Sequence, residues 1–400
     1  MRAFVSGLAL LLAATSAAAA TLIVLPAPTK TLAFVAVLAS ERSAFLAGGG
    51  ALAVLVLLMA RGPSPFLAAS LVLLAVVAMS LGALPIIQAR QLARARGVSL
   101  DFGRYLHARL DTEGPGAPDR TVSYATFEGP PSAGERPVSP APEAQTLTLD
   151  VYLPHARPAT PTRPILVIHG GFWSAGKKGE AALTSRRLAD RGFTVFDVDY
   201  RLAPQPNWKA AVGDVKCAIR WIKAHASNDD WNVEPNKLAV LGRSAGGHLA
   251  LMAAYTANDS DLPASCESGD SSVDAVIAFY APTDLEWAYE YPSNSRVADS
   301  RARTSAFLGA TLEMDRERWR ALSPVARVTA RSPRTLLLHG GRDQFIRPEH
   351  VQLLASRLRT NGVPFQTVLI PYAQHAFDFV VGGFSSQLSE AALIDFLRDG

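Results

Sequence analysis

Three stretches without a charged side chain open the chain, at residues 3–29, 43–60 and 62–89, and nothing else constrains the fold as strongly. Apolar runs of this kind have to be taken out of water. A helix crossing the hydrocarbon of a bilayer needs about 20 residues, a length that the first and third runs reach. The second is slightly short, but apolar residues 31–40 precede it, interrupted only by Glu41 and Arg42. The sequence therefore predicts a transmembrane region over residues 1–90, with three helices at 4–25, 43–60 and 66–87. A rival reading makes the first run a cleaved signal peptide, because Ala17 to Ala20 offer small residues for cleavage. Two further spans follow closely, which favours a retained helix.

Orientation follows from the basic residues near the helix ends. Lys30, Arg42, Arg90, Arg94 and Arg96 fall on one side; Arg2, the amino terminus and Arg61 fall on the other. This balance predicts a multi-pass membrane protein whose large C-terminal part is cytoplasmic, and cleavage of the first span would reverse it. The spans hold almost no ionisable residues, the usual marks of an ion or proton path, so they read as an anchor and not as a transporter or channel.

Charged residues make up 18% of the chain, and the shortfall from the usual roughly 25% sits in the first ninety residues. The net charge of +4 comes with no dense basic block interleaved with aromatics, which argues against nucleic-acid binding. Cys217 and Cys266 have neither metal-ligand spacing nor the density of a disulfide framework. Cys217 lies in a predicted helix over 210–225 and reads as a small buried apolar residue. A bridge between the two cysteines stays open, and the compartment with it.

Residues 91–119 read as a juxtamembrane segment: an Arg-rich amphipathic stretch over 90–112, then a Gly/Pro-rich linker over 113–119. From residue 120 to 400 the pattern becomes short β-branched runs alternating with helical segments. Strands are predicted at 121–127, 146–152, 165–168, 193–198, 237–241, 274–279, 335–338 and 365–370. The first two, joined by a Pro/Gly-rich loop at 128–144, form an antiparallel hairpin. The rest alternate with helices, as in βαβ units of a mostly parallel sheet. Residues 285–331 interrupt that alternation and predict a small helical lid, with Trp287, Tyr289 and Tyr291 as candidate pocket aromatics.

Chemistry concentrates at Gly242-Arg243-Ser244-Ala245-Gly246, between a predicted strand and the helical run 247–254. A serine on a sharp strand-to-helix turn presents its hydroxyl above the sheet, the setting of a nucleophile elbow. Serine needs a base to take its proton and a group to orient that base. In this chain order, serine then acid then histidine, the candidates are Asp343 and His375, each in a loop after a strand. Asp284 and Asp378 compete for the acid's role: one precedes the lid and the other follows the histidine closely. His339 and His350 are unsuited as bases by position. His169-Gly170-Gly171-Phe172-Trp173 follows another strand. Glycines there let backbone N–H groups approach a developing oxyanion. The candidate donors are Gly171, with Gly170 or Phe172, and Ala245. His169 reads as a buttress of this loop, and Trp173 as a packing residue or a wall of a substrate pocket.

Together with Asp199-Tyr200-Arg201-Leu202-Ala203-Pro204, Gly247-His248 and Gly341-Arg342, these motifs make the chain from His169 onward resemble the α/β-hydrolase carboxylesterases of the hormone-sensitive-lipase and ferulic-esterase-like type. The resemblance implies an α/β-hydrolase fold of about eight mostly parallel strands with helices on both faces. It also implies cleavage of carboxylic esters with short to medium acyl chains through an acyl-enzyme, without metal or cofactor, and a structural role for Asp199, Tyr200 and Arg201. Phe172 stands where lipase-like members have a third glycine, which brings the chain closer to small-ester and formamidase-like relatives. A small amidase on the same triad is the alternative activity. A membrane-tethered binding module without catalysis is a more distant one, because such a domain would have lost at least one member of the set.

Overall fold

The structure, a computed structural model, describes residues 2–59, 64–111, 116–127, 144–156, 160–202, 205–227 and 231–399. The predicted hairpin loop lies outside the described residues except at its last position, as do part of the predicted linker and the pair Ala203-Pro204.

Four helices open the chain: α1 (Arg2–Val24), α2 (Lys30–Glu41), α3 (Ser43–Met59) and α4 (Pro65–Ala95). Thr29 caps α2 by accepting from the Leu32 N–H, and Ser64 caps α4 in the same way with Pro65 in the first turn. Residues 5–24 of α1 and the whole of α4 are long and apolar enough to cross a membrane. α2 and α3 reach that length only as a pair, and they are bent by 80°. α1, α3 and α4 pack side by side, with α2 turned across their end.

The helix expected at 66–87 runs on to Ala95 and takes in the start of the stretch 90–112, of which Ala93, Tyr105 and Asp111 are buried. α4 continues through Gly82 and Pro85 for 31 residues, about 45 Å at 1.5 Å per residue, and ends shortly before Gly97. Its last turns carry Ala89 and Ala93 into the core of the following domain. A short helix α5 (Phe102–Leu106) follows, and then β1 (Arg109–Leu110), which pairs antiparallel with β10 (Val380–Val381) near the C-terminus.

Among the described residues the main sheet has eight strands: β2 (Arg120–Phe127), β3 (Gln145–Tyr152), β4 (Pro164–Ile168), β5 (Thr194–Val198), β6 (Ala239–Arg243), β7 (Ala275–Phe279), β8 (Arg334–Gly340) and β9 (Phe365–Ile370). Their order is β2-β3-β5-β4-β6-β7-β8-β9. β2–β3 and β3–β5 are antiparallel and all other neighbours are parallel. Strands β4 to β7 are buried along their whole length, which explains their mostly apolar sequences, broken by Thr194 and Asp197 in β5 and Arg243 at the end of β6. Alternate side chains face opposite cores. Leu166, Ile168 and Val240 meet α7 (Trp208–Ala224), α8 (Ala245–Tyr255) and α13 (Glu349–Thr360) on one face. Ile165, Val167 and Leu241 meet α6 (Ala182–Asp190), α14 (Phe384–Arg398) and the end of α4 on the other. Between β7 and β8, where a lid was expected, four short helices occur: α9 (Leu285–Glu290), α10 (Ser300–Leu308), α11 (Arg316–Ala321) and α12 (Pro324–Arg327).

Cys217, buried on α7, is joined to Cys266 by a disulfide. The small buried apolar residue expected from the sequence is thus a bridged one. A helix periodicity registers Cys217 as apolar and carries no information about a partner 49 residues away.

Asp197 on β5 is fully buried beside Asp150 and Asp199, with the Gly179 N–H donating to it. Burial pushes its pKa up to about 7. The folded state therefore holds this proton more tightly than the unfolded chain does. Its contribution is complete below the ordinary carboxylate range and is lost as pH rises toward 7, by up to about 1.4 kcal/mol per pH unit. Asp197→Asn keeps an acceptor for Gly179 and is expected to flatten that decline, as read by denaturant unfolding across the range. In the helical region, a Cβ on Gly82 would lie 2.8 Å from the Ser43 carbonyl oxygen, whereas one on Gly48 would meet nothing within 4 Å. Close approach of helices through small residues is a main source of packing energy in such bundles. Gly82→Leu is expected to lower the melting temperature in detergent by several degrees, and Gly48→Leu to leave it nearly unchanged.

Candidate active site

One residue separates the end of β6 from the start of α8, and that residue is Ser244. To turn the chain so sharply it adopts φ 53° and ψ −119°, a conformation that costs an L-residue about 1–3 kcal/mol. Its surroundings hold it there. The Ser244 N–H donates to the Phe279 carbonyl at 2.9 Å, and its carbonyl accepts from the His248 N–H at 3.1 Å. Two glycines make room for the turn. A Cβ on Gly242 would run into the Gly246 carbonyl, and one on Gly246 into the carbonyls of Ile168 and His169.

The loops after β8 and β9 bring the other two candidates to this serine. His375 Nε2 is 3.0 Å from Ser244 Oγ, and His375 Nδ1 is 2.7 Å from Asp343 Oδ2. The carboxylate selects the tautomer with the proton on Nδ1, leaving Nε2 to accept the serine proton. Asp343 is buried and its other oxygen accepts the N–H groups of Phe345 at 2.8 Å and Ile346 at 2.9 Å. Burial alone would raise its pKa. The facing His375, with hydrogen bonds from His339 and His375, holds it below the ordinary carboxylate range instead. The site keeps a charged acid in an apolar setting by surrounding it with donors.

His339 supports this acid. Its Nε2 lies 3.0 Å from the Ile346 carbonyl and 3.3 Å from Asp343 Oδ2. Asp378 and Arg243 form a second buried pair at 2.6 Å, and the Tyr280 hydroxyl donates to the other Asp378 oxygen at 2.5 Å. Burial acts against the Arg243 charge, but Asp378 and Tyr280 beside it raise its pKa above the usual arginine value. The Tyr280 ring packs on the His375 imidazole, centroids 4.4 Å apart. None of these supporting roles is marked in the sequence, apart from Arg243 occupying the variable position before the serine. Asp284 is elsewhere: it caps α9 through the Trp287 N–H. His350 does begin α13, but it is buried and hydrogen-bonded at Thr283, with its pKa lowered to about 3 by burial.

The loop after β4 approaches the elbow from the side. Gly170 faces Ser244 so closely that a Cβ there would sit 3.3 Å from the serine Cβ. Gly171, Phe172 and Trp173 all have positive φ, at 104°, 54° and 58°. This turn aims its amides away from the usual backbone partners. Among the described residues, no backbone carbonyl accepts from the N–H groups of Gly171, Phe172 or Ala245. His169 stacks on Tyr200, whose hydroxyl donates to the carbonyls of His169 and Gly170, each at 3.3 Å. The Asp199 carboxylate accepts from the Lys178 N–H, and Arg201 pairs with buried Asp214, so both brace this region from below.

Trp173, expected as a tentative substrate-binding residue, is only 3% exposed. Its ring stacks on Phe307 of α10 and its Nε1 donates to His248 at 3.3 Å, so it wedges the loop against the inserted helices. Trp287, Tyr289 and Tyr291 also pack on aromatic neighbours. Trp287 packs on His350 and Tyr291, and Tyr289 packs on Trp319. Among the described residues no group of three or more His, Cys, Asp or Glu is placed to hold a metal ion.

Comparison with known proteins agrees with this architecture. The chain is 35% identical over 248 residues to Esterase LipC of Mycobacterium tuberculosis, covering 61% of this chain and 60% of LipC. It is 30% identical over 260 residues to the Probable carboxylic ester hydrolase LipM of the same organism, covering 63% and 58%. The chain thus spans less than two thirds of the length of these curated relatives. Among solved structures, the propionate-bound esterase Est2 of Thermogutta terrifontis superimposes with a TM-score of 0.52 at 26% identity, over 70% of this chain and 95% of that one. A truncated carbohydrate esterase from gut microbiota, 23% identical, shares the fold with a TM-score of 0.56 over 72% of this chain and 98% of its own. The BD-FAE family model matches residues 149–358, from β3 to the last turns of α13, and so takes in the elbow, the loop after β4 and Asp343. Just over half of the 400 residues lie in that match, and the chain belongs to the BD-FAE family.

Proposed function

We infer that this chain is a serine hydrolase that cleaves carboxylic esters through an acyl-enzyme. The observation that carries the reading is the unbroken run from Ser244 Oγ through the His375 ring to Asp343 Oδ2, at 3.0 and 2.7 Å. His375 Nε2 takes the Ser244 proton as Oγ attacks the ester carbonyl carbon. The oxygen that becomes negative is met by the N–H groups of Ala245 and of Gly171 or Phe172, with Gly170 leaving the approach open. His375 then returns the proton to the departing alcohol. A water molecule repeats the sequence on the acyl-serine, and the acid is released. Asp343 keeps the imidazole oriented and stabilises its cation. The names of the relatives support esters over amides. The Thermogutta esterase is described with propionate and butyrate bound, which supports short acyl chains here.

The test is turnover of p-nitrophenyl acetate, butyrate and octanoate by the full chain. Ser244→Ala is expected to lower kcat by about 10⁴-fold or more. Paraoxon is expected to label wild type to one phosphoryl group per chain and to leave the variant unlabelled. A Ser244→Ala protein that retained its turnover would sink this reading, and a folded wild type inert to all three esters would direct the assay to formamides and small amides.

The reading extends to location. The apolar lengths of α1 and α4, with the bent α2–α3 pair, support a three-span anchor for residues 1–90, a juxtamembrane segment over 91–119 and a hydrolase domain over 120–400 carrying a helical insert at 285–331. The positive-inside balance favours a cytoplasmic hydrolase domain, but its margin is narrow. The Cys217–Cys266 bridge favours the opposite side, because disulfides persist in oxidising compartments. We place the domain outside the cytoplasm. In intact cells it is then expected to be cut by added protease, and its cysteines to take up a maleimide only after reduction. Protection from protease, with free thiols in unreduced protein, would return it to the cytoplasm.

A further inference from the structure

The elbow between α1 and α2 has a role that an anchor does not require. Its backbone is hydrogen-bonded to the loops that carry the acid and its neighbours. The Ala27 N–H donates to Gln344 Oε1 at 2.5 Å, and Gln344 Nε2 donates to Gln374 Oε1 at 3.1 Å. Gln344 directly follows Asp343, and Gln374 directly precedes His375. Arg342, on the other side of the acid, donates to the Val24 carbonyl at 3.3 Å, and the Lys30 N–H donates to the Arg296 carbonyl of the insert at 3.1 Å.

Side chains continue the contact. The Phe34 ring on α2 packs on Phe345 with centroids 5.7 Å apart, and Phe345 stacks on the His375 ring at 5.1 Å. Ala27, Ala33 and Phe345 share one apolar cluster with Phe172 of the loop after β4. A segment of the anchor thus forms one wall of the site.

The outward face of α2 is apolar too. Phe34, Val35 and Leu38 follow helical spacing and are 51%, 37% and 42% exposed, and Leu25 in the elbow is 58% exposed. A stripe of this kind left in water is costly, and it marks a surface that something apolar covers. The covering material is indicated by geometry. α2 is bent by 80° from α3, which packs alongside α1 and α4, the two helices long enough to cross a membrane. When those helices stand across a bilayer, α2 lies along its surface, the position of an interfacial helix with its apolar side in the acyl region.

We propose that α2 is an interfacial helix with its outer face in the lipid leaflet, and that the site takes an ester dissolved in that leaflet, entering along Phe34 toward Phe345 and His375. This rests on the esterase reading above and names its substrate class. The ester's apolar chain exchanges lipid for the α2 stripe, so it never has to cross water. Bond making and breaking remain those of the acyl-enzyme sequence already given.

The full chain in phosphatidylcholine vesicles tests it with two butyrate esters, p-nitrophenyl butyrate in the water and hexadecyl butyrate in the bilayer. The hexadecyl butyrate rate is expected to follow mole fraction in the lipid rather than bulk concentration. The Val35→Lys/Leu38→Lys double variant is expected to lower the ratio of kcat/KM for hexadecyl butyrate to that for p-nitrophenyl butyrate at least tenfold. Turnover of p-nitrophenyl butyrate with an unchanged ratio in the variant overturns the entry route and leaves the esterase reading standing. Wild type inert to p-nitrophenyl butyrate overturns the esterase reading itself. A fluorophore on Leu38→Cys reports the position of α2 separately, since the native cysteines are bridged. Quenching by brominated acyl chains is expected, and its absence removes α2 from the leaflet.

Discussion

The turn at Ser244 is the constraint on which the rest of the structure depends. A strand and a helix joined by a single residue can coexist only if the helix start lies almost against the sheet. That closeness is why Gly242 and Gly246 face carbonyl oxygens where any side chain would collide. It also sets the position of α8, whose free N-terminal amides and positive dipole end are brought beside the serine. The loop after β4 must fit the space that remains, so Gly170 touches the serine and the next three residues take left-handed backbone angles. Tyr200, His169 and Trp173 hold that unusual turn by stacking and hydrogen bonds, at some distance from any reacting atom.

Around this turn two buried carboxylates are hydrogen-bonded by different means. Asp343 is satisfied by backbone amides and two imidazoles, donors that carry no permanent full charge, and so it remains available to balance a cation formed on His375. Asp378 is committed to Arg243 and Tyr280. A carboxylate already paired with a guanidinium has little left to offer a transient imidazolium, which is a physical reason why two acids near one histidine differ in what they can do. The Arg243–Asp378 pair instead ties the residue before the serine to the segment after the histidine. A buried ion pair is weak evidence for stability, but it fixes register.

The sheet was legible because its central strands are short apolar runs closed by glycine, proline or polar residues, and each of the eight expected strands occurs within two residues of its predicted bounds. The elbow, the acid and the histidine were legible because this geometry demands fixed residue types in a fixed chain order, and the structure brings those three together. What escaped depends on contacts between distant segments. Two-residue strands β1 and β10 have no periodicity to read, and Arg109 meets Val381 only because the folded domain brings them together. His339 and Asp378 were set aside as acid or base on grounds of position, and position says nothing of a supporting role. Trp173 illustrates the limit of reading a side chain by type: a large aromatic beside a catalytic loop suits a pocket wall and a core wedge equally, and only the placement of Phe307 decides.

The N-terminal helices follow the same logic. Hydropathy registers how apolar a segment is and is blind to what it touches, so α2 reads as a prelude to a span. In the fold its inner face carries Ala33, Ala36 and Val37 against protein while its outer face is equally apolar. A helix apolar on both sides has two apolar environments, and one of them here is the wall beside Phe345 and Phe172. The last turns of α4 likewise end in the domain core, with Ala89 and Ala93 among residues of α14. The N-terminal helices and the domain therefore share two apolar contacts and several hydrogen bonds. A flexible tether would need none of these, and a domain that merely required attachment would gain nothing from placing one of them against the loop that carries His375.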